Sequence, residues 1–187
     1  MMAILNEEPI AKTEMLIRKP IADVFQAFVD PAITTKFWFT KSSGKLEAGK
    51  RVQWDWAMYG ASAEVMVKEI IENRRILIDF GTTVEWLFTP RAENETFVTI
   101  TNSGFQGDGD GIVKQALDST EGFTIVLCGL KALLEHGIVL NLVSDKAPDA
   151  HVKVNKGHDT FANERRKGML YSLPIPADFE GIPRILP

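Results

Sequence analysis

The spacing of apolar residues changes period three times along the 187-residue chain, and each change marks a new kind of element. Ile10 to Arg18 has strand character with imperfect alternation. In KPIADVFQAFVDP, Ile21, Val24, Phe25 and Phe28 fall at i, i+3, i+4 and i+7, which sets them on one face of a helix. Pro31 stops that helix. Asp30 is placed to cap a second short one with proline at its first position, and Ile33, Phe37 and Trp38 give it an apolar side.

From Arg51 the period is two. Val52, Trp54, Trp56 and Met58 alternate with Arg51, Gln53, Asp55 and Ala57, which predicts a half-buried strand with a strongly aromatic face. Tyr59-Gly60 turns the chain, and Ala63, Val65 and Val67 then alternate with Glu64, Met66 and Lys68. Asn73-Arg74 marks the next turn, before ILIDF and TVEWLFT, where Val84, Trp86 and Phe88 share a face. TFVTIT follows, with Val98 and Ile100 on one side. Five consecutive strands on short turns imply an antiparallel meander, since parallel pairs need crossover helices.

The helical period then returns. Phe123, Val126, Leu127, Leu130, Leu133 and Leu134 recur over about four turns. Asp118 and Glu121 have capping-box spacing and Gly137 suits a stop, so a helix is expected from about Asp118 to Gly137. The order predicts an α+β domain. A curved antiparallel sheet wraps around a long C-terminal helix, with two short helices after the first strand. Residues 1–144 form this unit. Residues 145–187 hold five of the nine prolines, the basic run Arg165-Arg166-Lys167 and no sustained period, and are expected to be a tail or docking arm.

Composition narrows the partners. A net charge of −4 offers no broad basic field, which argues against nucleic acid. The single cysteine, Cys128, fits a reducing compartment, and MMAILNEEPIAK does not read as a signal peptide, so the expected location is cytoplasmic. No run approaches the ~18 apolar residues of a membrane span.

The candidate chemistry is thin. His136, His151 and His158 lack metal-ligand spacing, so neither a metal nor a cofactor is expected. GDGDG at 107–111 has Ile112 at the fifth position of a calcium loop and no Glu at the twelfth, and is taken as a flexible turn. Alternation turns Asp55 and Glu85 to the polar face, and Cys128 has no activating neighbour beyond Lys131. No catalytic residue is assigned, and an enzyme is the less favoured class.

The aromatic face is the more informative feature. Trp54, Trp56 and Trp86 on neighbouring strands are more bulk than one helix packs flat. A sheet curved around a helix suits an apolar cavity of roughly 300–1,000 Å³ for a small ligand. The expected lining is Trp38; Trp54, Trp56 and Met58; Val65, Val67 and Phe80; Trp86 and Phe88; Val98 and Ile100; and Phe123, Leu127 and Leu130 of the long helix. Tyr59 and Asn102, near strand ends, are the candidate polar anchors.

The stretches IRKPIADVFQAFVDPAITTKFW, GASAEVMVKEIIENRRILIDF, VEWLFTPRAENETFVTITNSGF and DSTEGFTIVLCGLKALLEHG, in that order, resemble the SRPBCC (START-like, helix-grip) superfamily. Within it, the resemblance is to bacterial single-domain relatives of the activator of heat-shock-protein-ninety ATPase. It spans about residues 10–144. Gly122-Phe123 departs from the Gly-Trp common at that point, but an aromatic is kept. The resemblance implies the helix-grip fold and carriage or sensing of a small hydrophobic or aromatic ligand, lipid or polyketide-like. It leaves two alternatives: a cyclase or dehydratase on such a substrate, and a stress-response protein that activates a chaperone ATPase, an activity belonging to a larger eukaryotic protein. The stripe Ile125, Cys128, Gly129 and Ala132, the apolar run Ile138 to Val143 and the tail are the candidate homodimer surfaces.

Overall fold

The computed structural model describes residues 7–149. Strand β1 (Ala11–Ile17) leads into helix α1 (Ile21–Val29) and the single turn α2 (Pro31–Thr34). Six strands follow: β2 (Lys41–Ser42), β3 (Arg51–Trp56), β4 (Ala61–Ile71), β5 (Arg75–Asp79), β6 (Thr83–Ala92) and β7 (Glu95–Ser103). Helix α3 (Gly109–His136) and the short α4 (Leu142–Asp145) complete the described chain. The seven strands form one antiparallel sheet in the order β1-β7-β6-β5-β4-β3-β2. The expected meander is therefore present, with β1 closing onto β7 and the two-residue β2 added at the far edge.

Local chemistry explains most boundaries. The apolar face of α1 is buried at Val24, Phe25, Ala27 and Phe28. Asp30 caps α2 by accepting from the Ala32 N–H at 3.0 Å, with Pro31 at the first position, as its sequence predicts. Phe37 and Trp38 lie beyond the end of α2, in the segment leading to β2. Register shifts at Val67/Glu69 and Pro90/Ala92 interrupt the ladder, and such bulges bend and twist a sheet. Opposite the large indoles of β3 the partner strand carries small residues, Trp54 facing Ala63 and Trp56 facing Ala61.

Helix α3 begins nine residues before the expected start. Asp108, not Asp118, is the N-cap, accepting from the Gly111 N–H at 2.7 Å. The GDGDG stretch expected as a flexible turn thus supplies the cap and the first helical turn. Asp118 sits two and a half turns inside. The C-terminal end is where the sequence put it: Gly137 adopts φ 69° and its N–H returns to Leu133 O at 2.9 Å. Helix α3 packs against β1 and β7 and contacts α4, whose Val143 is buried in the core. The expected division at 144/145 falls inside α4, and from residue 150 onward the expected tail, with His151, His158 and Arg165 to Lys167, lies outside the described residues.

No helix among the described residues is long and apolar enough to cross a membrane.

Candidate functional site

The interior between the sheet and α3 is the candidate site, because the buried faces of the strands and one helical stripe meet there. Trp38, Trp54, Trp56, Val65, Val67, Phe80, Trp86, Phe88, Val98, Ile100, Phe123, Leu127 and Leu130 belong to one continuous buried cluster. Met58 packs at its edge, half-buried. Tryptophans 54, 56 and 86 are at most 1% exposed, so their ring faces contact protein rather than solvent.

The rings contact one another at angles that suit aromatic quadrupoles. Trp54 stacks on Phe39 (4.7 Å between centroids, 21°) and lies 4.9 Å from Trp38. Trp38 in turn reaches Trp86 at 6.0 Å and Phe123 of α3 at 5.9 Å. One side chain from the segment after α2 therefore bridges sheet and helix in the middle of the site. Phe39 was not singled out by the sequence: it lies between α2 and β2, where no period marks which residues turn inward.

Two polar contacts join the sheet to α3. Thr13 and Thr124 share a hydrogen bond of 3.0 Å between β1 and α3. Asn102, only 2% exposed, donates from Nδ2 to Ser119 Oγ at 2.9 Å. Ser119 is buried on the inner face of α3, one turn before Phe123; as a polar residue it does not register in an apolar stripe, which is why the sequence did not show it. Three buried polar atoms in the interior have no hydrogen-bond partner among the described residues: Trp56 Nε1, Trp86 Nε1 and Asn102 Oδ1. Asp118 and Lys146 are not orphans of this kind, because each has an ionic partner, Lys114 at 3.5 Å and Glu121 at 2.8 Å. Burial nevertheless raises the Asp118 carboxyl above the usual range, against the pull of Lys114 and Lys146.

Tyr59 is committed elsewhere. Its hydroxyl donates to the Val143 carbonyl, tying the turn after β3 to α4, and burial raises its pKa to about 12. Asp55 lies on the outer face, where hydrogen bonds from Gln53 and Ser62 hold its carboxyl below the usual range. Glu85, also outside, pairs with Arg75. Cys128 is a half-buried free thiol, and His136 sits exposed at the C-terminal end of α3, where a cation is favoured. Among the described residues no group of His, Cys, Asp and Glu could hold a metal ion. Of the proposed dimer surfaces, Gly129 is covered by Phe37, whereas Ile138, Val139 and Leu140 are exposed.

An ion pair anchors the far end of α3. Glu135, 8% exposed, accepts from the Arg18 backbone N–H at 2.7 Å and pairs with Lys131, which also donates to the Leu16 carbonyl at 2.8 Å. Burial opposes ionisation of Glu135, but Lys131 and the Arg18 N–H together outweigh it and hold the carboxyl below its ordinary 4.5. A depressed carboxylate stabilises the fold above its unfolded pKa and loses that contribution as pH falls through the folded value. Glu135→Gln is accordingly expected to cost about 1–3 kcal/mol near pH 7. In urea titrations the gap between variant and native chain should narrow as pH falls below about 4.5 and on through the lower folded value; a gap that stays constant over that fall would show that shape, not charge, is what Glu135 contributes.

Comparison with known proteins agrees with this architecture. The family described as Activator of Hsp90 ATPase homolog 1-like protein matches residues 18–135. Protein SSP2350 from Staphylococcus saprophyticus is 32% identical, with 71% of this chain and 96% of that one covered and a TM-score of 0.64. Two solved structures share the fold at lower identity. The Aha1 dimer from Colwellia psychrerythraea is 20% identical over 69% of this chain and 98% of that one, TM-score 0.59. Protein MLL2253 from Mesorhizobium loti is 19% identical over 70% and 99%, TM-score 0.60. No curated protein gives a significant match. With more than half its length matched and a relative above 30% identity, the chain belongs to the Activator of Hsp90 ATPase homolog 1-like family.

Proposed function

We propose that the protein binds a small apolar or aromatic molecule, lipid or polyketide-like, between the inner face of the sheet and α3, for carriage or sensing in the cytoplasm. The observation that carries this reading is the set of three unpaired polar atoms, Trp56 Nε1, Trp86 Nε1 and Asn102 Oδ1, in an otherwise apolar interior. Native interiors leave few such groups unsatisfied, and each costs about 1–3 kcal/mol. A guest carrying polar atoms on an apolar body removes that cost, and it buries its own surface against rings already desolvated. Some 200 Å² of buried ligand surface at ~25 cal/mol/Å² is worth about 5 kcal/mol before association costs, so micromolar or weaker binding is the expectation, the tighter end requiring the polar contacts as well.

Titration of the ¹⁵N-labelled full chain with fatty acids, flavonoids and aromatic polyketides tests this. Shifts are expected to cluster on the indole N–H signals of Trp54, Trp56 and Trp86 and on the amides of α3 between Phe123 and Leu130. Saturable shifts confined to the outer face, or none across the panel, would remove the reading.

A further inference from the structure

The placement of two of the three unpaired atoms specifies more than an apolar guest. In the β6–β7 ladder Val84 faces Asn102 and Trp86 faces Ile100, so Trp86 and Asn102 are diagonal neighbours on the same inner face. Such positions lie about 7–8 Å apart at the backbone, within reach of long side chains. The helix repeats the arrangement. Ser119, which holds Asn102, and Phe123, whose ring meets Trp86 edge-on at 5.9 Å, are one turn apart on the buried face of α3. Trp86 and Asn102 thus occupy adjacent layers of one interior, one with a spare donor and the other with a spare acceptor.

We propose that Trp86 and Asn102 form a hydroxyl-recognition subsite, in which a ligand O–H accepts from the Trp86 indole N–H and donates to Asn102 Oδ1. This rests on the ligand-binding reading above and narrows it to hydroxylated apolar molecules such as phenols. A hydroxyl is the smallest group that satisfies both atoms, since it is donor and acceptor at once. An ether or ketone takes the indole proton and leaves Asn102 Oδ1 unpaired. A carboxylate also lacks a proton for Asn102 and buries its charge among rings. A hydrocarbon leaves both atoms as they are. Bonding to Ser119 uses Asn102 Nδ2 and turns Oδ1 to the free position.

Naphthalene, 2-methoxynaphthalene and 2-naphthol share a ring system and separate the two contacts. Titrated into the ¹⁵N-labelled full chain, the two oxygenated compounds should move the Trp86 indole N–H downfield and naphthalene should not. 2-Naphthol should bind at least about tenfold more tightly than the methyl ether, because only it can donate to Asn102. In Asn102→Leu that preference should fall below about twofold while binding of the ring persists, whereas Trp86→Phe should keep the preference and bring the methyl ether down to the affinity of naphthalene. Should Asn102→Leu fail to fold, Trp86→Phe decides on the second contact: it keeps an aromatic ring, removes the indole donor and should erase the advantage of the methyl ether over naphthalene. Equal affinity for naphthol and its methyl ether in the native chain overturns the subsite and leaves the ligand-binding reading standing. The same holds if none of the three binds a chain that takes up other ligands. If nothing binds in either experiment, both fall.

Discussion

Trp54→Ala is expected to destabilise the fold by about 3–5 kcal/mol, the range for deleting a large aromatic from a packed core. Four rings surround this indole: Phe39 stacked at 4.7 Å, Trp38 at 4.9 Å, Phe80 at 5.7 Å and Trp56 at 6.3 Å. Facing Ala63 across the ladder offers no bulk to close the gap, and backbone hydrogen bonds on both sides hold β3 in place. The cavity therefore stays open rather than collapsing. Urea unfolding followed by far-ultraviolet circular dichroism measures the loss. Trp54→Phe should recover about half of it, because a smaller ring can still stack on Phe39. A loss below about 1 kcal/mol for the alanine variant would show that these rings are loosely packed and that the interior readjusts.

Gly129→Leu is the second large effect, and it acts from the helix side. A Cβ at this position meets the Phe37 Cβ and the Phe37 carbonyl oxygen, each at 3.2 Å. One of those neighbours is backbone and cannot rotate away. A leucine adds three further carbons at the same point, so α3 must lift from the segment that carries Phe37, Trp38 and Phe39. Overpacking of this kind costs about 3 kcal/mol, which corresponds to a fall in Tm of roughly 10 °C for a domain of this size. The shift of α3 should also move the Trp38 emission to the red. Gly129→Ala is the control: the helix gains up to about 1 kcal/mol from losing a glycine, which offsets the tight contact and leaves stability near native. A fully stable Gly129→Leu chain would mean that the helix and the Phe37 segment are not held against each other.

Both positions show where the sequence was legible and where it was not. Trp54 sits in an unbroken alternation from Val52 to Trp56, so its inward direction follows from the period alone. Gly129 lies within a recognisable helix, but nothing local distinguishes a glycine that admits Phe37 from one that merely weakens the helix. The start of α3 failed for a related reason. Gly109 and Gly111 each cost a helix about 1 kcal/mol, so local propensity indicates a turn there. The Asp108 cap and the packing of Ala116 and Ile112 with Phe105 and Ala11 override it. With the start moved upstream, Ser119 lies well inside the helix on the same face as Phe123, where it orients Asn102.

The chain by itself determined α1, α2 and the five meander strands β3 to β7, the inward faces of β3 and β6, and the end of α3 at Gly137. Each of these depends on neighbours within a few residues: a period of 2 or 3.6, a cap, a proline, a glycine able to take positive φ. Only the tertiary structure decided that Trp38 bridges the sheet and α3, that Tyr59 is spent on Val143, and that Trp86 and Asn102 stand in adjacent layers with a donor and an acceptor unpaired. Those facts join residues up to 85 positions apart. Periodicity assigns a side chain to a face, whereas its partners there are set by how separate elements meet once β1 closes onto β7 and α3 lies across them.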